Sequence, residues 1–507
     1  MKVENGSDRR KPAGEPAVKA GLIGGAYRPL ADTDVKKIHK TVLDVLDRIG
    51  VADPIPVLRE RALERGCRID HGNRLCFPPA FVEDAIAGAR RDIVCYAREP
   101  EYDLDMSGTH VNFYGGGEAV TLFDFRTRTY RPSTLTDTYD LARLADRLEY
   151  VHGYSRLTVP TEIADQRVAD INIAYASIAG TVKHVSLSFA QAEHITPVLA
   201  MLDMIAGGEG QFRKRPFCHA GGCCIISPLR YARDNSEVCI AATRLGAPVW
   251  VIAAPQAGTT GPAALAGTLA LSVAEAIAAW LLVQLVVPGH PVIVGAWPFV
   301  ADLRTGSFAG GGGETAVLNA AAAQMISSYG LASSVGAGMS DSKLPDNQAG
   351  YEKGLSVALA ALAGCNGVSE ASGMLASLMG CSFEAMVIDN EMLGCIQRAV
   401  RGIEVTDETL SFDAIRDAVN GSGHFLLHPQ TIKLMRSEYV YPRVADRRPR
   451  VEWEKGGSAG ILEHANLRAT EILSSHFPAY IGAAVDRKIR EQFPIRLPVE
   501  YMQAGRP

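Results

Sequence analysis

Apolar residues along this chain follow two periods, and the points where one gives way to the other outline a fold. Val35, Ile38, Val42, Val45, Leu46 and Ile49 recur at helical spacing and Gly50 stops the pattern, which predicts a helix over Asp34–Ile49. Val57–Arg65 repeats the pattern more weakly; Asn73–Phe77 reads as a short strand and Pro79–Ala89 as another helix. After this α-rich start the chain alternates. Runs rich in Val, Ile, Gly and Ala predict strands at Thr109–Gly115, Tyr150–Val159, His184–Phe189, Phe217–Cys224, Pro248–Ala254, Pro291–Trp297, Ala332–Met339 and Asn366–Ser372. Helices are expected between them near Thr136–Leu148, Ala164–Ala176, Gln191–Ile205, Pro228–Arg244, Leu265–Val286, Glu314–Tyr329 and Asp346–Leu362, with Phe383–Arg401 after the last strand. Runs without polar alternation are what strands buried on both faces require. Eight of them with intervening helices fit a closed parallel (β/α)8 barrel, an α/β fold of the TIM type, better than an open sheet. The expected organisation is a disordered lead-in over 1–20, an α-rich N-terminal region over 21–105, the barrel over 106–401 and a helical C-terminal extension over 402–507 packed on it.

Composition narrows the function classes. Hydrophobic residues make up 47% of the 507, enough for a large core, and 49 glycines point to close helix–strand packing. A net charge of −5 leaves no electrostatic footprint for nucleic acid, and no basic block suggests anionic lipid. The ten cysteines are scattered without a disulfide framework, which fits a reduced, cytoplasmic compartment. Residues 1–20 lack the apolar core of a signal peptide. Leu265–Val287 is long enough to cross a bilayer, but it carries Glu275 and Gln284 and runs straight into Pro288-Gly289 and another strand. It reads as a barrel helix in a protein with no membrane partner. Glu275 inside it needs a partner, because an isolated buried carboxylate is costly.

The densest polar chemistry lies in Ser340–Glu352, between a small-residue strand and an Ala-rich helix, where Asp341, Lys343, Asp346, Gln348 and Glu352 crowd one loop. A loop after a barrel strand belongs to the face that carries barrel active sites, so Met339 to Gln348 is expected at the mouth. The plainer reading is that Asp341 structures the loop and Lys343 pairs with a neighbouring acid. Gly310–Gly313 before Glu314 opens a helix and lacks the features of a nucleotide loop; Glu314 there complements the helix dipole. Cys218, His219, Cys223 and Cys224 are soft metal ligands, but Cys218 and His219 point to opposite faces of a strand, so they read as core fillers and no metal site is expected. Tyr114, Phe189, Trp297 and Phe299 fall at strand ends. Rings converging there suit a quaternary ammonium, each worth roughly 0.5–2 kcal/mol of cation–π attraction. No Ser-His-Asp elbow and no HExxH motif is present.

Several stretches together resemble one family: Ile38-His39 through Gly50, Asp70–Arg74, Gly258–Glu275, Asp302–Gly306, Ser340–Glu352, Ile388–Glu391 and Gly423–Leu426. In these the chain resembles the trimethylamine methyltransferase family, which includes glycine betaine and other quaternary-amine methyltransferases. The resemblance implies a barrel that passes a methyl group from a methylated amine to the Co(I) corrinoid of a separate small protein, with no cofactor held tightly by the barrel itself. Members acting on trimethylamine carry pyrrolysine near the position of Met339. Here an ordinary residue stands there, which resembles the non-pyrrolysine branch and a betaine-type substrate. On that reading Met339, Asp341, Lys343 and Glu275 are the candidate catalytic residues. Tyr114, Phe189, Trp297, Phe299, Gln348 and Glu314 are the candidate substrate contacts, in a homo-oligomer. The alternatives are a different methyl donor, such as a sulfonium or methoxy compound, and a barrel that binds betaines without catalysis.

Overall fold

A computed structural model describes residues 16–505. The expectation of a disordered lead-in falls largely on residues 1–15, outside the described residues. The eight strands are β1 (His110–Phe113), β2 (Tyr154–Ser155), β3 (Val185–Ser188), β4 (Cys218–Cys223), β5 (Val249–Ala253), β6 (Val292–Ala296), β7 (Ser333–Gly336) and β8 (Gly367–Ser369). Each is parallel to the next, and β8 returns to β1 with Val368 opposite Phe113. The ring closes where Tyr114 bridges Gly153, ahead of β2, so the sheet has no free edge inside the barrel. Leu22–Ile23 lies antiparallel against β1.

Eight helices alternate with the strands: α1 (Leu135–Arg147), α2 (Gln166–Gly180), α3 (Ile195–Ile205), α4 (Arg233–Arg244), α5 (Leu265–Val286), α6 (Gly313–Ser328), α7 (Asn347–Leu362) and α8 (Phe383–Arg401). Their starts are chemically marked. Thr134 and Asp137 form a capping box on α1; Asp165, Asp346 and Ser382 accept first-turn N–H bonds on α2, α7 and α8. The helix expected from Pro228 begins only at Arg233, because a hairpin of Ile225–Ile226 with Arg230–Tyr231 takes the intervening residues.

Helix α5 is the long apolar segment. Nearly its whole length is buried, packed on β5 and β6, and it is the one helix among the described residues long and apolar enough to cross a membrane. It is apolar all round because neighbours surround it.

The N-terminal helices Asp32–Asp44, Pro56–Glu64 and Pro79–Ala87 precede a hairpin, Val94–Cys95 with Leu104–Asp105. Ile93, Cys95, Leu104 and Met106 from this hairpin join Tyr114, Trp250 and Ile293 in one apolar cluster, which plugs the N-terminal end of the barrel. At the other end of the chain, helix Ile461–Ser475 lies along α1 and α8. Arg143 of α1 is fully buried there, bound to Asp140 at 2.7 Å and donating to the Leu473 and His476 carbonyls.

Candidate active site

The C-terminal ends of the strands enclose a cavity of about 300 Å³, in the place where barrel enzymes do their chemistry. The period of two decides who reaches it. Ser186 and Ser188 of β3, Gly221 and Cys223 of β4, Trp250 and Ile252 of β5 and Ser369 of β8 line it, while Val185, Leu187 and Ala220 belong to the core outside the barrel wall. Trp250 and Trp297 form its apolar side. Both indole N–H groups donate to the same oxygen, Ser334 Oγ, at 2.8 and 2.9 Å, so one hydroxyl on β7 fixes the two rings.

Two carboxyl groups face this apolar surface. Glu118 follows the Gly115–Gly117 turn after β1; Glu370 follows β8. Both have positive φ, 54° and 60°, a left-handed backbone that costs a non-glycine residue about 1–3 kcal/mol and tends to occur at functional sites. Gly117 is required between them: a Cβ there would stand 2.7 Å from Glu370 Oε2 and 2.3 Å from the Met374 methyl. The two acids have opposite surroundings. Glu118 keeps accessible surface within the cavity, is bound by Arg156 at 2.7 Å and accepts a bond from Ser188 Oγ. Burial works to raise its pKa, but the Arg156 guanidinium and the Ser188 hydroxyl outweigh it and hold Glu118 below the ordinary carboxylate range. Glu370 is buried; its Oε2 meets no donor among the described residues, and Arg156, which lines the same cavity, is engaged by Glu118. Burial, and then the charge of Glu118, push its pKa up to about 8. At neutral pH the cavity holds an ionised Glu118–Arg156 pair and a neutral Glu370. The Cys223 thiol sits in the same space, pushed to about 12 by burial and by both acids, so it is not a thiolate nucleophile.

Above the cavity a polar cap is tied together. Asp341 accepts from the Gly310 and Gly311 N–H groups at 2.9 and 3.1 Å and from Ser377 Oγ at 2.7 Å. Glu352 accepts from Ser340 Oγ, the Asp341 N–H and Gln348 Nε2 at 2.7–2.9 Å. Ala376 and Ser377 donate to the Ser342 and Ser340 carbonyls, and their left-handed turn continues into Leu378, which lines the cavity.

Of the residues singled out from sequence, Trp297 lines the cavity. Phe299 and Met339 pack beside it around Gly336, one layer removed. Asp341 and Gln348 lie in the cap and are engaged in its bonds; the exposed Lys343 amine donates to the Asp341 carbonyl at 2.6 Å. Tyr114 is fully buried beneath Trp250, their rings edge to face at 5.1 Å, and Phe189 is in the core. Glu314 is exposed on the first turn of α6 and is not among the residues lining the cavity. Glu275 is buried inside α5 and accepts from Ser227 Oγ at 2.6 Å and the Leu229 N–H at 2.8 Å; burial raises its pKa to about 7. It organises the loop after β4 and does not reach the cavity. Sequence reasoning missed Glu118, Arg156, Ser188, Asn235, Trp250 and Glu370. The available signal was a lone acid immediately after a glycine triplet at a strand end.

The family model described as trimethylamine methyltransferase (MTTB) matches residues 4–496. The chain belongs to the trimethylamine methyltransferase family. It is 33% identical over 477 residues to the trimethylamine methyltransferase MttB of Desulfitobacterium hafniense, covering 93% of this chain and 95% of that protein. It is 29% identical over 471 residues to a glycine betaine methyltransferase of the same species, covering 93% and 97%. Among solved structures, the Methanosarcina barkeri monomethylamine methyltransferase (MtmB) overlays with a TM-score of 0.47 at 13% identity, covering 87% of this chain and 94% of that one.

Proposed function

We propose that this member of the family transfers a methyl group from a small methylated ammonium compound, of the quaternary or betaine type, to a corrinoid carried by a separate protein. One observation carries the reading: Glu370 is a buried carboxyl on an indole-lined cavity whose Oε2 has no partner among the described residues, while Arg156, the cation in the same lining, is bound to Glu118. A cation entering the cavity supplies the missing charge. Glu370 then ionises, the cation and the carboxylate balance, and Glu118 stays neutralised by Arg156. Trp250 and Trp297 offer π-faces that attract a methylated ammonium without requiring an N–H. Loss of a methyl cation turns a quaternary ammonium into a neutral amine, so the barrel needs no side-chain nucleophile and no general acid. Its work is to orient one N–methyl bond and keep water away.

A corrinoid supplies the reduced cobalt that accepts the methyl group. Its macrocycle is too large for a cavity of about 300 Å³, so the fit is to the mouth. There Val120, Leu344 and Met379 are exposed apolar side chains on neighbouring loops, joined by Tyr130, whose hydroxyl donates to the Lys343 carbonyl at 2.8 Å and whose ring abuts Gly380. Exposed apolar side chains on these loops are what a docked partner would cover. The test is methyl transfer to free cob(I)alamin from a panel of quaternary and tertiary methylated amines, with calorimetry on the same panel. Turnover of at least one quaternary compound, lost in Glu370→Gln, is expected. Absence of both binding and transfer across the panel would overturn the reading.

A further inference from the structure

On the opposite side of Trp250 from the cavity lies a second group of chemically capable side chains. Cys95 comes from the hairpin that plugs the barrel, His184 immediately precedes β3, and His219 stands on β4. All three are buried, and their ligand atoms lie within 4.8 Å of one another. His184 Nε2 and His219 Nδ1 are 2.8 Å apart, and His184 Nδ1 is 2.6 Å from the Tyr96 carbonyl oxygen. A carbonyl accepts only, so His184 carries its proton on Nδ1 and turns a bare Nε2 toward His219. His219 Nδ1–H donates to it. His219 Nε2 is thereby left as an acceptor, buried, with no partner among the described residues. His184 is anchored through Nδ1 to a backbone carbonyl, the arrangement that orients metal-binding histidines, and this aims its Nε2 at His219. The Tyr114 hydroxyl bears on the Cys95 thiol, and the charge of Asp103 acts on both Cys95 and His184.

We propose that Cys95, His184 and His219 are the ligands of a single zinc-class divalent ion that staples the N-terminal hairpin to the barrel floor. Two imidazole nitrogens and a thiolate suit zinc, with the Tyr114 oxygen or a water completing four-coordination. Binding balances without redox chemistry. The thiol proton of Cys95 leaves to solvent, His219 moves its proton from Nδ1 to the unpartnered Nε2, and three metal–ligand bonds replace one hydrogen bond. Tetrahedral zinc sets its nitrogens about 3.3 Å apart, so the two rings would separate by about 0.5 Å. The soft residues noted in the sequence on β4 thus divide. His219 turns into the barrel toward Cys95 and His184, whereas Cys218 packs in the core and Cys223 faces the cavity.

The experiment measures metal in the full-length protein grown in zinc-supplemented medium and passed through chelator and gel filtration. About one equivalent of zinc is expected. Cys95→Ser and His219→Gln should lose it and melt lower, while Cys218→Ser keeps it. Cobalt-loaded wild type should show a thiolate-to-cobalt charge-transfer band in the near ultraviolet with visible bands of tetrahedral intensity, a readout that stands even if the variants fold poorly. Less than about 0.1 equivalent in wild type, both as purified and after refolding with zinc, would overturn the proposal. So would zinc retained equally in Cys95→Ser, or cobalt bound without the thiolate band.

Discussion

Two acidic regions meet at the mouth of this barrel and behave in opposite ways. The cap over Ser340–Glu352 is rich in charge, yet its half-buried Asp341 and buried Glu352 have their donors, three bonds each. The Glu118–Glu370 pair has two acids, one guanidinium and an unmatched oxygen. Polar residues dense in sequence satisfy one another and make structure. The acids that remain for a ligand are isolated in sequence and come together only through the closure of β8 onto β1.

The sharpest way to break this contrast is to remove an acid from each side. Asp341→Ala strands two N–H donors and a hydroxyl, and should cost about 3 kcal/mol of stability, read as a lowered melting temperature or denaturant midpoint. Glu370→Gln should keep or raise the melting temperature while weakening binding of a methylated ammonium about 30- to 100-fold, or about 2–2.7 kcal/mol. If Asp341→Ala melts normally and loses only activity, the cap is catalytic and the contrast fails.

Titration tests the same difference. Glu370 is raised to about 8 in the folded protein against an ordinary value of 4.5. Between those pH values the native state holds a proton that the unfolded chain has released. Its contribution to stability is therefore complete below about pH 4.5 and declines as pH rises through 8, by a few kcal/mol in total. Glu370→Gln should flatten that decline in a pH series of melts. Affinity for a permanent cation should move the other way, rising by up to about tenfold per pH unit toward 8, with a proton released on binding. Calorimetry in buffers of different ionisation enthalpy measures that proton. A pH-independent affinity would show that Glu370 does not meet the cation.

Smaller effects refine the picture. Trp297→Leu removes one π-face and should weaken cation binding by about 1–2 kcal/mol, with Trp297→Phe intermediate. Lys343→Met should change stability by less than about 0.5 kcal/mol and leave transfer intact, since its exposed amine serves only a carbonyl of its own loop.

Much of the fold was legible in the sequence. Eight apolar runs mark eight strands, because a strand buried on both faces must be continuously apolar, and the helices between them follow the apolar period of 3.6. Boundaries drifted where tertiary structure took residues away, as at the hairpin before α4. The cavity was less legible. Trp297 stood out as an aromatic at a strand end and does line it; Tyr114 met the same criterion and lies beneath Trp250. A strand's alternation says which residues point inward but not at what height, and height separates barrel floor from mouth. Glu118 and Glu370 carried no local density of charge to draw notice. Their strained backbone and shared cavity exist only in three dimensions.

The stitched cap has a kinetic consequence. It joins the loops after β6, β7 and β8, and the residues beneath it, Trp297, Ser369 and Glu370, are buried. Within the cavity lining, Glu118 and Cys223 keep the most accessible surface, and that surface faces the cavity. A cation in the cavity therefore finds two acids in different states, an ion-paired one that keeps accessible surface and a neutral one that is buried. Retention falls to the indoles and Glu370, out of reach of dissolved ions, so the residence time should hardly respond to added salt.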